Sequence, residues 1–471
     1  MRFHKKPLSR RDFIRNVGRG AGAIGLASTL PGLLGCGQLP PLFSGNEMVG
    51  RVTATSAGIR LVTGDVCDPT DRFVLVYDTV PRSAFSDYRY QSAELSGFSP
   101  QDAITFNLQG LSSNTRYYYR LGHYRDGEGW IYRNECSFHT RRAPGRNFRF
   151  CLTGDLHVYP YPFFVNEKIR QRVLANVLTD APDILLTLGD NEFVAFQGDI
   201  PYPFSPESFL GTYRRSRTIL DVAGHSMFVL PVLGNHEGLF GFTAAQPEYQ
   251  SIRDARLRYL PLPGSTTFSG GGDPDGRYGA FTWGDVLFVW LDILGFCAVD
   301  PYLNGPESYI LGGAQRAFLE QSLASSSAPW KFVFAHHIFG GDDDWWAAYG
   351  RGNANDAHQY EQAQIQSLLE QYGVQIFFYG HDHVFSMSRA NSVSYVCVGH
   401  GGSGCPWVEE ALQYYPPDEL FVTDAQGHVP PGHVRVDVDA VRGEVRVSYI
   451  LASLASDNGS VLSSLTFPAA T

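Results

Sequence analysis

Five short stretches of this chain carry side chains able to hold a metal ion: Gly154-Asp155-Leu156-His157, Gly189-Asp190-Asn191, Gly234-Asn235-His236-Glu237, His336-His337 and Gly380-His381-Asp382-His383. Imidazole and carboxylate suit Mn, Fe or Zn, and nothing in the set selects among the three. In Asn235-His236 two jobs sit side by side. An amide oxygen is a hard ligand for a divalent cation, and an unligated histidine beside it can deliver a proton. Alone, any one stretch would read as a cap, a turn or a satisfied core histidine. Asp and His at the ends of buried strands are costly unless paired or coordinated, and five such ends in one chain point to convergence on a cation cluster.

Each stretch follows an apolar run. Phe148–Thr153 precedes Gly154, Asp183–Leu188 precedes Gly189, Met227–Leu233 precedes Gly234, Lys331–Ala335 precedes His336, and Gln375–Tyr379 precedes Gly380. Their length and their branched or aromatic content predict strands, with a further one at Val286–Trp290. Helices are predicted from Asn166 to Leu178, from Ala314 to Ala324 and from Gln362 to Tyr372. Alternating strands and helices make an α/β fold, in which ligands collect at the carboxyl edge of the sheet. A glycine at a strand end lets the chain turn sharply there. Val434–Val438 and Glu444–Tyr449, joined across Gly443, predict a closing hairpin.

Residues 47–142 follow a different period. Arg51–Thr55, Arg72–Tyr77, Ala103–Leu108 and Trp130–Tyr132 lie between turn signals, which predicts an all-β sandwich of roughly a hundred residues. The aromatic run Tyr117-Tyr118-Tyr119 is expected to fill core and corner positions rather than to form a ligand platform. Arg141-Arg142-Ala143-Pro144-Gly145 reads as the linker out of this module. Cys67 and Cys136 could pair in an oxidising compartment, though sequence does not fix connectivity.

The 471 residues are 44% hydrophobic and 18% charged, with a formal charge of −10. That is the composition of a soluble globular protein with room for two or three domains. Residues 1–35 hold seven Lys/Arg and one Asp, so the remainder is more acidic still. Such a surface argues against nonspecific nucleic-acid binding, or binding to an anionic membrane, by charge alone. No internal apolar run reaches the ~20 residues that span a bilayer. At the N-terminus, Ser9-Arg10-Arg11-Asp12-Phe13-Ile14 is followed by a weakly apolar, Gly/Ala-rich segment, Ala21 to Leu34. This is the grammar of an export signal, and it resembles the twin-arginine signal that directs folded proteins outward. Leu33-Leu34-Gly35-Cys36 resembles the lipobox of bacterial lipoproteins, whose cysteine is lipidated and becomes the new N-terminus. Residues 1–35 are therefore read as the signal and 36–46 as a Pro/Gly-rich tether. The expected location is periplasmic or at the cell surface, with a lipid anchor at Cys36.

The ordered set Gly-Asp-x-His, Gly-Asp, Gly-Asn-His-Glu, a histidine after a strand, and Gly-His-x-His resembles the calcineurin-like metallophosphoesterases over residues 147 to about 400. Leu111-Ser112-Ser113-Asn114-Thr115-Arg116-Tyr117-Tyr118-Tyr119 resembles the Leu-x-Pro-x-Thr-x-Tyr-x-Tyr signature of fibronectin type III domains, with Ser113 in place of the proline. A module of this kind ahead of the metal-binding part resembles the arrangement in purple acid phosphatases. The fold implied is a four-layer α/β/β/α metallophosphoesterase core over 147–471, preceded by an all-β sandwich domain over 47–142. The resemblance also implies two divalent or mixed-valence metal ions (Fe, Mn or Zn). One would be held by Asp155, His157 and His383, the other by Asn235, His336 and His381, with Asp190 bridging them. It implies hydrolysis of a small-molecule phosphate ester by in-line attack of metal-bound hydroxide, with His236 as the general acid. Glu237 and His337 would orient the ligands.

Two positions depart from the purple enzymes. Phe193 stands three residues beyond Asp190, where those enzymes carry a metal-bound tyrosine, and His157 stands where they have glycine. The first metal would lose a phenolate and gain an imidazole, so the site resembles the broader family. Aromatic loops at 158–164 and 340–352 either stack on a substrate ring or pack against neighbouring insertions. The alternative activity is a phosphodiesterase acting on a nucleotide or phospholipid. The alternative class is a non-catalytic surface-binding lipoprotein, which the complete ligand set disfavours. The mature protein is expected to begin at a lipid-modified Cys36. Mass spectrometry of its N-terminal peptide checks this, and an unmodified N-terminus elsewhere would remove the anchor.

Overall fold

Strands that are apolar at every position need cover on both faces, and the strands after residue 147 obtain it by forming two stacked sheets. In the computed structural model, which describes residues 45–158, 166–192, 206–238, 247–264, 272–292, 311–337, 356–404, 420–423 and 427–468, one sheet has nine strands. Their order is Val461–Pro468, Glu444–Leu451, Gly432–Asp439, Phe148–Thr153, Ile184–Leu188, Phe228–Val232, Gly45–Gly50, Ser56–Thr63 and Ala103–Gln109. The other has seven: Gly279–Trp283, Val286–Trp290, Trp330–Phe334, Ile376–Tyr379, Val393–Val398, Phe385–Ala390 and Leu420–Phe421.

Side-chain alternation sorts each strand between two cores. Phe150, Leu152, Leu186 and Leu230 point inward and meet Phe288, Phe332, Phe334 and Phe378 of the second sheet. The rings interlock, with Phe150 edge-on to Phe288 at 5.0 Å and Phe334 stacked on Phe378 at 5.3 Å. Cys151, Leu185 and Val229 point outward, to a cluster that includes residues of the helices Glu167–Asp180, Pro206–Gly224 and Pro247–Tyr259. Val333, Phe377 and Tyr395 do the same for Gly312–Ala324 and Asp356–Gln371. These are the four layers expected from the sequence, helix on sheet on sheet on helix, and the closing hairpin forms as Gly432–Asp439 with Glu444–Leu451.

Parallel register aligns the strand ends. Thr153 pairs with Thr187 and Leu188 with Val232, while Phe334 pairs with Phe378 in the second sheet. All five ligand-bearing stretches therefore leave along one edge of the stack. Pro231, which lacks an amide hydrogen, is tolerated in its buried strand because the pairing to Gly45–Gly50 is made at Val49↔Phe228, before the proline is reached.

The sandwich forms, but it shares a sheet with the core. Gly45–Gly50, Ser56–Thr63 and Ala103–Gln109 continue the nine-stranded sheet, and Arg72–Asp78, Arg116–Arg125, Gly129–Tyr132 and Cys136–His139 form the sheet facing them. Tyr117 and Tyr119 are buried as expected. The Tyr117 hydroxyl accepts the Ser112 amide at 2.8 Å, and Tyr119 donates to the His225 carbonyl at 2.6 Å. The strand expected at Arg51–Thr55 is instead the turn between Gly45–Gly50 and Ser56–Thr63. Arg51 has φ 51°, and Thr53 bonds Ser56 through both backbone and hydroxyl, so the hydroxyl residues close a turn where alternation suggested a strand. Arg142 in the expected linker is pinned to Asp183 at 2.6 Å. Cys67 and Cys136 form no disulfide. Their thiols face the carbonyls of Phe98 and Asn134 at 3.4 and 3.7 Å.

A buried charge cluster fastens the sandwich to the Pro206–Gly224 helix. Arg133 bonds the fully buried Glu47 carboxylate and reaches Asp221 at 3.4 Å, and Asp221 accepts the Glu47 amide at 3.0 Å. Burial raises Glu47 above its ordinary range, and Arg133 opposes that shift. Removing one partner of such a pair strands the other charge. Arg133→Ala should lower the unfolding free energy by about 3–5 kcal/mol in urea titration. A loss below about 1 kcal/mol, the worth of a surface pair, would show that Glu47 is not held as a buried anion.

Candidate metal centre

The turns that leave the two sheets are unusual in where they put their strain. Ten non-glycine residues among those described have positive φ, and five of them are Asp155 (55°), His157 (46°), Asp190 (51°), His381 (73°) and His383 (60°). Non-glycine residues in the left-handed region cost about 1 kcal/mol or more each and persist where surrounding contacts over-determine them. Of the glycines beside them, Gly189 takes the positive φ (83°) expected of a turning glycine, and close approach is a second use of these positions. A Cβ on Gly234 would lie 2.2 Å from Asp190 Oδ1, and one on Gly189 would lie 2.5 Å from His336 Nδ1. They let two backbones approach at these turns.

All eight residues singled out in the sequence are brought together. Asp190 Oδ2 lies 3.2 Å from His336 Nε2, 3.6 Å from His236 Nε2 and 3.8 Å from His157 Nε2. Asp155 Oδ1 lies 3.2 Å from His383 Nε2 and 3.7 Å from His157 Nε2. His157 and His383 approach through their Nε2 atoms at 3.1 Å. His336 Nε2 is 3.0 Å from Asn235 Oδ1 and 3.2 Å from His381 Nδ1. The donors thus form overlapping groups, Asp155 with His157 and His383, Asp155 with Asp190 and His336, His157 with Asp190 and His236, and His336 with His337 and His381.

Outer contacts decide which nitrogen faces inward. His336 donates Nδ1–H to the Leu188 carbonyl at 2.7 Å, and His383 donates Nδ1–H to the Gly404 carbonyl at 2.6 Å. Each then turns Nε2 toward the cluster, the nitrogen at which a metal would take the place of a proton. Asp155 Oδ1 is buried with no hydrogen-bond partner although it faces two imidazoles. An orphaned carboxylate oxygen ringed by inward-facing imidazole nitrogens fits a pair of divalent cations.

Electrostatics points the same way. Burial works to raise Asp190, but His336 and His236 outweigh it and hold the carboxyl well below the usual range. Burial works to lower His336, and Asp190 outweighs it, raising the imidazole to about 10. His381 is pushed down to about 3 by burial and by the charge of His336. In the absence of an ion, a proton on His336 balances Asp190, a place that a divalent cation would take.

Glu237 proves to be the brace of the site. One carboxylate accepts the amides of Gly234 (2.8 Å), Asp190 (3.0 Å), Asn191 (2.5 Å) and Glu192 (3.1 Å), tying two turns together. Asp190 Oδ1 accepts the His236 amide at 2.9 Å, and Asp155 Oδ2 accepts the His381 amide at 3.0 Å. His337 packs its ring on His381 at 4.4 Å between centroids, and its nitrogen also falls near those of His336 and His381. His236 and His383 are the more accessible of the imidazoles facing the two aspartates, with side chains 15% and 13% exposed. Asp190 and His336 are 1% exposed or less, whereas His236 is open to a substrate. Sequence reasoning missed Arg170, which donates to the His157 carbonyl at 3.1 Å, and His400, buried behind His383. Gly399-His400 after a buried strand carried the same signal as the other stretches. Phe193 and residues 159–164 and 340–352 lie outside the described residues.

A family model described as calcineurin-like phosphoesterase matches residues 148–385. The probable inactive purple acid phosphatase 27 of Arabidopsis thaliana is 23% identical over 296 residues, 59% of this chain and 43% of that protein. The chain spans between 43% and 61% of the length of the curated relatives it matches. Among solved structures, PhoD superposes with a TM-score of 0.65 at 14% identity, covering 90% of each chain. Purple acid phosphatase PPD1 from yellow lupin (Lupinus luteus) seeds superposes with a TM-score of 0.61 at 15% identity, covering 90% of this chain and 73% of that one. At these identities the likeness is one of fold, and it extends through the sandwich as well as the core.

Because one carboxylate collects four amides, Glu237→Gln should be far from conservative. The amide nitrogen would face an N–H donor at the site's centre. Metal affinity should fall about 10–100-fold, the usual effect of disturbing an outer contact. Equilibrium dialysis against Zn²⁺ checks it, and unchanged affinity would remove Glu237 from the account.

Proposed function

The chain belongs to the calcineurin-like phosphoesterase family, and on that premise we propose that it hydrolyses small-molecule phosphate esters with two metal ions. Asp155, His157 and His383 would hold the first, Asn235, His336 and His381 the second, and Asp190 would give an oxygen to each. The observation that carries this reading is the convergence of donors from five strand ends, with the ring nitrogens of His336 and His383 turned inward by bonds to backbone carbonyls. Imidazole and carboxylate donors suit Fe, Mn or Zn. Two such ions, when bound, draw charge from the phosphoryl oxygens and lower the pKa of a water to near neutrality.

The remaining work falls to the chain. Glu237 and the two aspartates fix the turns, so the donors do not have to be gathered when an ester arrives. His236 stands at the accessible side of Asp190 and is assigned the proton that the departing alkoxide needs. No serine or cysteine nucleophile is required, since attack is direct. Export by the twin-arginine route and anchoring at Cys36 complete the proposal, supported by Ser9-Arg10-Arg11 and Leu33-Leu34-Gly35-Cys36. The anchor would be the only attachment to a membrane.

Two variants separate the roles in Asn235-His236. Asn235→Ala should lower occupancy of the second position and slow every substrate, monoester or diester. His236→Ala should leave metal content nearly intact, and should slow an alkyl ester by roughly 10²–10⁴-fold. An activated aryl ester, whose leaving group departs as a stable anion, should suffer much less. Metal analysis with rates on both ester types is the check. If His236→Ala strips metal, or slows both types alike, His236 is a ligand or an electrostatic clamp and the proton comes from elsewhere, with His337 next in line.

A further inference from the structure

Gly399-His400 follows the Val393–Val398 strand in the glycine-then-histidine order of Gly380-His381. Yet both nitrogens of His400 are engaged outside the cluster. Nδ1 accepts the amides of Gly402 at 3.2 Å and Gly404 at 3.1 Å. Two N–H groups meeting at one ring nitrogen require it to carry no proton, so the proton sits on Nε2 and is donated to the Val429 carbonyl at 3.3 Å.

The loop held this way ends at the first metal position. The Gly404 carbonyl takes the Nδ1–H of His383 at 2.6 Å, with the Ser403 hydroxyl 3.2 Å from the same nitrogen. That bond is what aims His383 Nε2 at Asp155 and His157. The near end of the loop is secured by its own backbone, through Gly401 N–H to the Gly154 carbonyl at 2.8 Å. At the far end, a Cβ on Gly404 would meet nothing within 4 Å among the described residues, so that side of the glycine is open. Gly402 and Gly404 both have positive φ, at 121° and 77°, and glycine, which takes either sign of φ readily, is not confined there by its own sterics. The hydrogen bond from Gly404 to His400 restrains the backbone at that end.

We propose that His400 is a positioning residue for the first metal position, fixing through the Gly402 and Gly404 amides the carbonyl that orients His383. The inference rests on the two-metal reading above. It predicts an effect confined to one position, since the second is built from Asn235, His336 and His381, which His400 does not touch through this loop.

The test is Zn²⁺ titration of the full chain by calorimetry, with metal analysis after dialysis. Wild type should take up two ions. His400→Ala should bind one as wild type does and the other about 10–100-fold more weakly. Added to Asn235→Ala, it should weaken both. His400→Asn places an amide oxygen close to where Nδ1 stands, can accept the loop amides, and should recover most of the lost affinity. Should His400→Ala fail to fold, His400→Gln, whose oxygen lies one carbon further out, replaces it with the same expectation. Two wild-type binding steps in His400→Ala would overturn the inference. So would an equal loss at both positions, which is what a merely structural residue would give, or a His400→Asn as weak as the alanine variant. A wild type that binds fewer than two ions defeats the two-metal reading itself, and the inference with it.

Discussion

Two carboxylates, Asp155 and Asp190, are buried at the rim of a hydrophobic double sheet, and the rest of the site follows from the need to compensate them. Isolated carboxylates there would cost several kcal/mol or give up their charge by taking protons. Five imidazoles and an amide are brought within reach, but they cannot all be positive without repelling one another. Asp190 holds His336 protonated while burial and His336 drive His381 neutral. Divalent cations resolve this conflict by supplying concentrated positive charge to carboxylates and neutral nitrogens alike.

The same need explains the backbone. A ligand at the end of a strand normally points along or away from the sheet. Turning it back over the edge takes a left-handed residue, and here the ligand residues adopt that conformation themselves. Their strain is offset by a lattice of charge-assisted bonds in which Glu237, Asp190 and Asp155 accept backbone amides. Donors are thereby placed before any ion arrives, and the strands carry none of the distortion.

Much of this could be read from the chain alone, for identifiable reasons. The convergence of these side chains was legible because Asp, His and Asn are incongruous after runs such as Phe148–Thr153 and Ile376–Tyr379, and because register aligns the ends of neighbouring parallel strands. The four layers were legible from strands apolar at every position. The turn at Arg51–Thr55 was not, because its threonines alternate like strand residues while their hydroxyls close a turn. Nor was the continuity of the sandwich with the core sheet, since pairing between Val49 and Phe228 joins residues far apart in sequence and leaves no periodic mark. His400 escaped notice because its role depends on which way its nitrogens face, and a glycine-histidine dipeptide does not encode that.

The continuous sheet has a consequence for reach. Gly45–Gly50 lies between Phe228–Val232 and Ser56–Thr63, inside the sheet that carries Asp155, Asp190 and Asn235 at its edge. No slack can be drawn from beyond Gly45 without tearing that sheet. In the anchored form proposed here, nine residues separate the lipid-bearing Cys36 from Gly45, a length that spans at most roughly 30 Å. The catalytic edge would patrol a thin layer above the bilayer, so that the esters it meets are those that diffuse into this layer or are released within it.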